Sequence, residues 1–252
     1  MLMRIGGLDV APADDHWIAV TNPATGEPID RIPRGTSGDV QQAVDAADTA
    51  SDGWKKKTIR ERGLILFHAA GKVREQHKDL ARLLTTEQGK PLRESIDEVR
   101  GFANILEFYA GISASQQGEL VRLGAAGDAL VAREPLGICG AIIPWNMPVL
   151  IMGWKVGPAL LAGNTMILKP ASTAPLTALR LAQILESAGL PAGVLNIVTG
   201  SGEVVGEAMA RHPQIRKLSF TGNCVTPSIW ISTGSSIVTT LRWLEFRLRI
   251  SE

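Results

Sequence analysis

The chain is 252 residues long, 45% hydrophobic and 20% charged, with a formal net charge of +1. That length holds one large or two small domains with a buried core, and the near-neutral charge gives no basis for a nucleic-acid or acidic-membrane partner. Cys139 and Cys224, the two cysteines, form neither a disulfide framework nor a metal-ligand spacing, so no metal is expected.

The opening "MLMRIGGLDVAPADD" has one arginine and no sustained apolar run, unlike a signal peptide, which predicts a cytoplasmic protein. Residues 8–34 are rich in Pro, Asp and Gly around short alternations such as "WIAV", predicting a small β-meander or hairpin that turns at "NPATGEP" (22–28). From Ser37, a capping-type residue, the period becomes helical, with Val40, Ala43, Val44 and Ala47 on one face. Residues 59–90 continue as one or two helices and 94–114 as another, with Gly89-Lys90-Pro91 as the break. The interspersed charges of this third read as a solvated helix face. His68, His77 and His212 are isolated and read as structural or surface residues.

Residues 119–140 predict a β-hairpin turning at Ala125-Ala126-Gly127-Asp128. Four short apolar runs follow: "GAIIP" (140–144), "TMILKP" (165–170), "VLNIVTG" (194–200) and "KLSFTG" (217–222). Helical segments at 147–162, 175–189 and 203–211 separate them. Strands without alternation, spaced by amphipathic helices, signal an α/β fold with a parallel sheet covered on both faces. "MPVLIMGWKVGPALLAG" (147–163) is interrupted by Lys155 and Gly157-Pro158, so it reads as a buried helix and not a membrane span. Ligands in such sheets bind at the carboxyl ends of the strands, here the ends carrying "PWN", "KPAS", "TGSG" and "FTG".

Each of these turns has chemistry. "TGSGEVVG" (199–206) places Gly200, Gly202 and Gly206 as G-x-G-x-x-x-G, one residue longer than the usual dinucleotide fingerprint and without an acidic residue about twenty positions on. An ordinary tight turn between strand and helix is the other reading. Neither a nucleoside-triphosphate P-loop nor G-x-S-x-G occurs. In "LKPAS" (168–172) a lysine at the end of an apolar strand can donate to ribose hydroxyls or a phosphate; a strand-end lysine reaching for water is the alternative. In "IIPWNMP" (142–148) two prolines restrict Trp145 and Asn146, so the Asn146 amide can be aimed at an oxygen that becomes negative; a turn asparagine is the alternative.

Together "IIPWNMP", "GPALLAGNTMILKPAS", "LPAGVLNIVTGSGEVVG" and "IRKLSFTG", with "EQGKP" (87–91) and "NPATGEPI" (22–29), resemble the aldehyde dehydrogenase superfamily, and within it the succinate-semialdehyde dehydrogenase type. The resemblance runs in order from about residue 8 to Gly222. It implies a Rossmann-like NAD(P)-binding domain over 1–118 and 138–222, and an oligomerisation-type hairpin over 119–137. It also implies a small-molecule aldehyde substrate and a homo-oligomer. Asn146 becomes the oxyanion-hole amide, with Lys155 near the catalytic centre. Ile143, Pro144 and Trp145 line the cofactor cleft, and Lys169, Pro170, Ala171 and Ser172 form the turn that faces the adenosine ribose. Gly202 lets the adenine half pack closely, and Gly222 and Asn223 hold the pyrophosphate at a helix N-terminus. NAD-preferring members often carry a glutamate at the position of Ser172, so NADP is expected here, with or without NAD.

The family mechanism uses a cysteine thiolate to attack the aldehyde, hydride transfer to the nicotinamide, and a glutamate that activates water to release the acid. The family's E-L-G-G-type and G-Q-x-C-type segments are not in this sequence. Cys139, in an apolar strand, reads as a buried small residue, and Cys224 has no base beside it. Residues 223–252 contain no Ala, Lys or Asp, and "SIWISTGSSIVTTLRW" (228–243) resembles a hairpin around Gly234 where the family has a helix. This divergent tail is expected to be a frame-shifted or otherwise aberrant end, and the chain is expected to be inactive alone. Non-catalytic dinucleotide binding, and a product with no stable function, are the competing expectations.

Overall fold

The computed structural model describes residues 1–115, 118–124, 127–222 and the backbone of 244–251. Strands β1 (Met3–Ile5) and β2 (Leu8–Val10) form a hairpin that the sequence reading does not include. Its turn is Gly6-Gly7, both at positive φ, where a side chain would be strained. The expected hairpin at "NPATGEP" is present as β3 (Trp17–Thr21) against β4 (Pro28–Pro33).

Helix α1 (Ser37–Lys56) starts at the residue expected to be its cap. Thr36, not Ser37, is the N-cap: its hydroxyl accepts from the Asp39 amide and the Asp39 carboxylate accepts from the Thr36 amide at 2.7 Å. The reciprocal pair satisfies two orphan donors, which a lone serine at 37 would not. Helices α2 (Ile59–Glu75), α3 (His77–Gln88) and α4 (Leu92–Gly111) follow. Gly89 ends α3 in the left-handed conformation (φ 88), and a Cβ there would lie 2.6 Å from Pro23 Cγ. The arm is β5 (Glu119–Arg122) and β6 (Asp128–Pro135).

The four apolar runs become β7 (Ile138–Ile142), β8 (Thr165–Lys169), β9 (Leu195–Ile197) and β10 (Lys217–Phe220). Helices α5 (Pro148–Leu161) and α6 (Leu176–Ser187) connect the first three. The third connection is a π-helical turn, Gly202–Gly206, running into the short α7 (Glu207–Arg211), and not one regular helix. The main sheet has the order β10-β7-β8-β9-β1-β2, parallel from β10 to β9 and antiparallel beyond it. Side chains alternate between two cores. Cys139, Ala141, Met166 and Leu168 face α5 and α6, whereas Ile138, Ile142 and Ile167 face α1 and α7. The last described strand, β11 (Leu244–Ser251), pairs antiparallel with β6. The hairpin expected around Gly234 lies outside the described residues, as do Asn223 and Cys224.

From β7 the chain steps outward to β8 and β9, then returns to β10 on the other side of β7. The crevice between β7 and β10 is therefore the topological switch point, with α5 after β7 on one face of the sheet and α7 before β10 on the other.

Candidate functional site

Beyond β7 lies the turn of Ile143, Pro144, Trp145 and Asn146, and beyond β10 the turn at Thr221 and Gly222, so both flank the switch-point crevice. Ile143 is buried, and its amide donates to the Lys169 carbonyl at 3.1 Å, which joins the ends of β7 and β8. Trp145 is 60% exposed, and Met147 also reaches the surface, giving the Asn146 turn an apolar mouth. The side-chain amide of Asn146 makes no hydrogen bond among the described residues and is exposed. A fixed turn with an unspent N–H donor is suited to a developing oxyanion.

The turn is fixed from outside its own sequence. Lys90 Nζ donates to the Asn146 carbonyl at 2.8 Å and pairs with the buried Glu98 carboxylate. Glu98 in turn accepts from the amides of Val149 (2.8 Å) and Leu150 (3.1 Å), the first turn of α5. At the other end of α5, Arg62 Nε donates to the Leu161 carbonyl at 2.8 Å and Trp54 Nε1 to that of Leu160 at 3.2 Å. A carboxylate at the N-terminus and a guanidinium at the C-terminus both oppose the helix dipole. The same device holds α6: Glu87 accepts from the amides of Leu176 (2.6 Å) and Thr177 (2.9 Å) and from the Thr177 hydroxyl. Burial pushes the Glu87 carboxyl up to about 7 despite these donors. With both N-termini taken by internal carboxylates, α5 and α6 offer no seat for a phosphate.

Lys155 projects from α5 and donates to Ser219 Oγ of β10 at 2.7 Å. It is 6% exposed, and burial first, then the charge of Lys217, lowers its ammonium to about 8. Lys169, at the end of β8, is 4% exposed and held down to about 8 by burial. Its Nζ donates to the Pro170 carbonyl at 3.1 Å and has no carboxylate partner among the described residues. A buried cation with spare donors at a strand's carboxyl end fits a ribose or phosphate oxygen. Pro170 and Ala171 follow in the same turn, and Ser172 Oγ donates to the Gly200 carbonyl at 2.7 Å, tying the ends of β8 and β9 together.

Gly200 has φ 137, and a Cβ there would lie 2.7 Å from Val205 Cγ2. At Gly202 a Cβ would meet nothing, so that backbone faces open space. Gly35, which the sequence reading passed over, supports the same turn: a Cβ there would sit 2.1 Å from the Thr199 carbonyl oxygen, to which the Gly35 amide bonds at 3.1 Å. Glu87, Lys90 and Glu98 were also passed over as site residues. The only signal was their position in and after "EQGKP". Cys139 lies inside β7, fully buried, its thiol pushed up to about 12 by burial. No group of three His, Cys, Asp or Glu side chains suited to a metal occurs among the described residues.

The aldehyde dehydrogenase family model matches residues 10–237. The chain belongs to the aldehyde dehydrogenase family. The match runs past Gly222, where the residue-level resemblance ended. A 3-sulfolactaldehyde dehydrogenase of Pseudomonas putida is 43% identical over 220 residues, 87% of this chain. An NADP dependent enzyme from E. coli matches 88% of the chain at 40% identity and a TM-score of 0.86. A succinate-semialdehyde dehydrogenase from Burkholderia pseudomallei matches the same share at 39% and 0.86. The chain spans 45% of the length of the first of these similar proteins and 46% of the other two. No helix among the described residues is long and apolar enough to cross a membrane.

Proposed function

We propose that these residues form the cofactor-binding side of an NAD(P)-dependent aldehyde dehydrogenase that oxidises an aldehyde to the carboxylic acid. The observation that supports this reading most directly is the Asn146 turn, with its unspent side-chain amide, at the switch-point crevice between β7 and β10. NADP or NAD would lie along the carboxyl edge, with Lys169 and Ser172 toward the ribose, Gly202 toward the adenine half, and Gly222 with Asn223 at the pyrophosphate. Ile143, Pro144 and Trp145 line the inner wall. The residues present fit the cofactor: Lys169 has spare donors, Gly202 leaves room, and no carboxylate stands at 172 to repel a 2′-phosphate. When bound, the nicotinamide supplies the hydride acceptor. Asn146 donates its amide to the substrate oxygen, and Lys155 braces α5 against β10 so that the walls of the crevice keep their spacing.

Succinate semialdehyde, named for one similar structure, is the proposed substrate, and 3-sulfolactaldehyde, named for the curated relative, is the alternative. The proposed division is a binding domain of 1–118 and 138–222, an arm of 119–137 for self-association, and a divergent 223–252. The arm exposes Leu120, Val121, Leu123 and Leu130, which suits an interface. These 252 residues alone are proposed to bind cofactor without turning over aldehyde, because Cys139 is a buried, protonated thiol and no nucleophile.

Fluorescence titration of the chain with NADPH and NADH tests this. Saturable binding of NADPH is expected, weakened at least tenfold by Ser172→Glu, with NADH affected less. No saturation with either nucleotide would sink the cofactor reading, and aldehyde-dependent formation of NAD(P)H would sink the claim of inactivity.

A further inference from the structure

Residues 88–90 and the Asn146 turn are far apart in sequence, yet one side chain joins them. Gly89 occupies a left-handed conformation that only glycine tolerates against Pro23, and this turn points Lys90 back over α4. The Lys90 amide is itself held by Gln88 Oε1 at 3.0 Å. Its ammonium is shared between the Glu98 carboxylate and the Asn146 carbonyl, and the pair is nearly excluded from water at 9% and 2% side-chain exposure. Glu98 spends its other oxygen on the amides of Val149 and Leu150. One ion pair therefore clamps the turn that leads into α5 and the first turn of α5 in a single network.

We propose that Lys90 is a positioning residue for Asn146: anchored on Glu98, its ammonium holds the Asn146 carbonyl and thereby fixes the direction of the Asn146 side-chain amide. This rests on the reading of Asn146 as an oxyanion donor. Trp145 and Asn146 are otherwise exposed, so without this contact the turn between Pro144 and Pro148 keeps its φ restrictions but loses its tether to the helical layer. A charge-assisted hydrogen bond in so dry a place corresponds to about tenfold or more in the population of the tethered turn.

The sequence permits a direct test. Asn146-Met147 is the sole Asn-Met pair in the chain and Asn164-Thr165 the sole Asn-Thr pair. Labelling ¹³C-carbonyl asparagine with ¹⁵N-methionine thus isolates the Asn146 carbonyl, and ¹⁵N-threonine isolates Asn164, beyond the far end of α5, as a control. Lys90→Met is expected to move the Asn146 carbonyl resonance upfield and broaden or split it, while Asn164 stays in place. Because Lys90→Met strands a buried carboxylate, the double variant Lys90→Met/Glu98→Gln carries no unpaired charge and keeps an acceptor for the α5 amides. It is expected to show the same shift. An unmoved Asn146 resonance, or an equal shift at Asn164, overturns the inference. Failure of both variants to fold does so too, since the pair would then sustain the whole helical layer. NADPH titration of the wild-type chain is read separately: a chain that binds no cofactor but shows the shift refutes the functional reading alone.

Discussion

Lys169→Met should make the chain more stable and a poorer binder of NADP at the same time. The ammonium is 4% exposed, and its value drops from the ordinary 10.5 to about 8 because burial penalises the charge. That gap corresponds to ~3 kcal/mol at neutral pH. Methionine has a similar stem and carries no charge, but it leaves the Pro170 carbonyl without its donor, which costs about 1 kcal/mol. The expected net gain is therefore ~2 kcal/mol in urea unfolding at pH 7. Since the folded value lies below the unfolded one, the wild-type chain bears the full penalty below about pH 8. It sheds that penalty as pH rises toward 10.5, and the variant's advantage should shrink over the same interval. Losing a charge-assisted hydrogen bond to the ribose or phosphate should raise the Kd for NADPH about ten- to a hundredfold. Unfolding at pH 7 and 10 and NADPH fluorescence titration at pH 7 measure the two effects. A variant less stable than wild type at pH 7, or one that binds NADPH unchanged, would refute the assignment of Lys169 as a cation kept in place for a ligand.

Two glycines beside the same turn should separate packing from binding. Gly35→Ala drives a Cβ to 2.1 Å from a backbone oxygen and should cost about 1–3 kcal/mol in unfolding free energy. Gly202→Ala meets open space and should leave stability within about 0.5 kcal/mol while weakening NADPH several-fold; unaltered affinity would remove Gly202 from the site. Cys139, buried and with its thiol pushed up to about 12, should resist iodoacetamide at pH 8 in the native chain and react once urea is added. Peptide mapping distinguishes it from Cys224, and rapid native labelling at Cys139 would contradict its burial.

The strands, helices and turns that make the parallel sheet were legible in the sequence because their signals are local. Runs such as "TMILKP" are apolar on both faces, and Gly or Pro punctuates each one, so β7 to β10 and the helices α5 and α6 could be placed before any contact was known. Asn146, Lys169 and Gly202 could be singled out for the same reason: a residue type in a particular turn already limits its chemistry. The strand order was a different matter. That β10 returns beside β7, and so makes the crevice, depends on which edges pair across some 80 residues, and no local pattern encodes that. Nor did local pattern place β1 against β9, or find Gly35, whose constraint comes from the Thr199 carbonyl.

The residues that steady the site were the least legible. Glu87, Lys90, Glu98 and Arg62 look like ordinary charges on helix surfaces, and all four belong to the helical third whose charges read as a solvated face. Only the packing of α2, α3 and α4 against α5 and α6 turns them inward, onto the ends of those helices and the Asn146 carbonyl. Residue types and periodicity determined which elements form and which turns carry chemistry, because propensity and patterning act over a few residues. Tertiary structure alone decided how Asn146, Lys155 and Lys169 are held, because their supports are charges from other elements whose worth comes from the water that packing excludes.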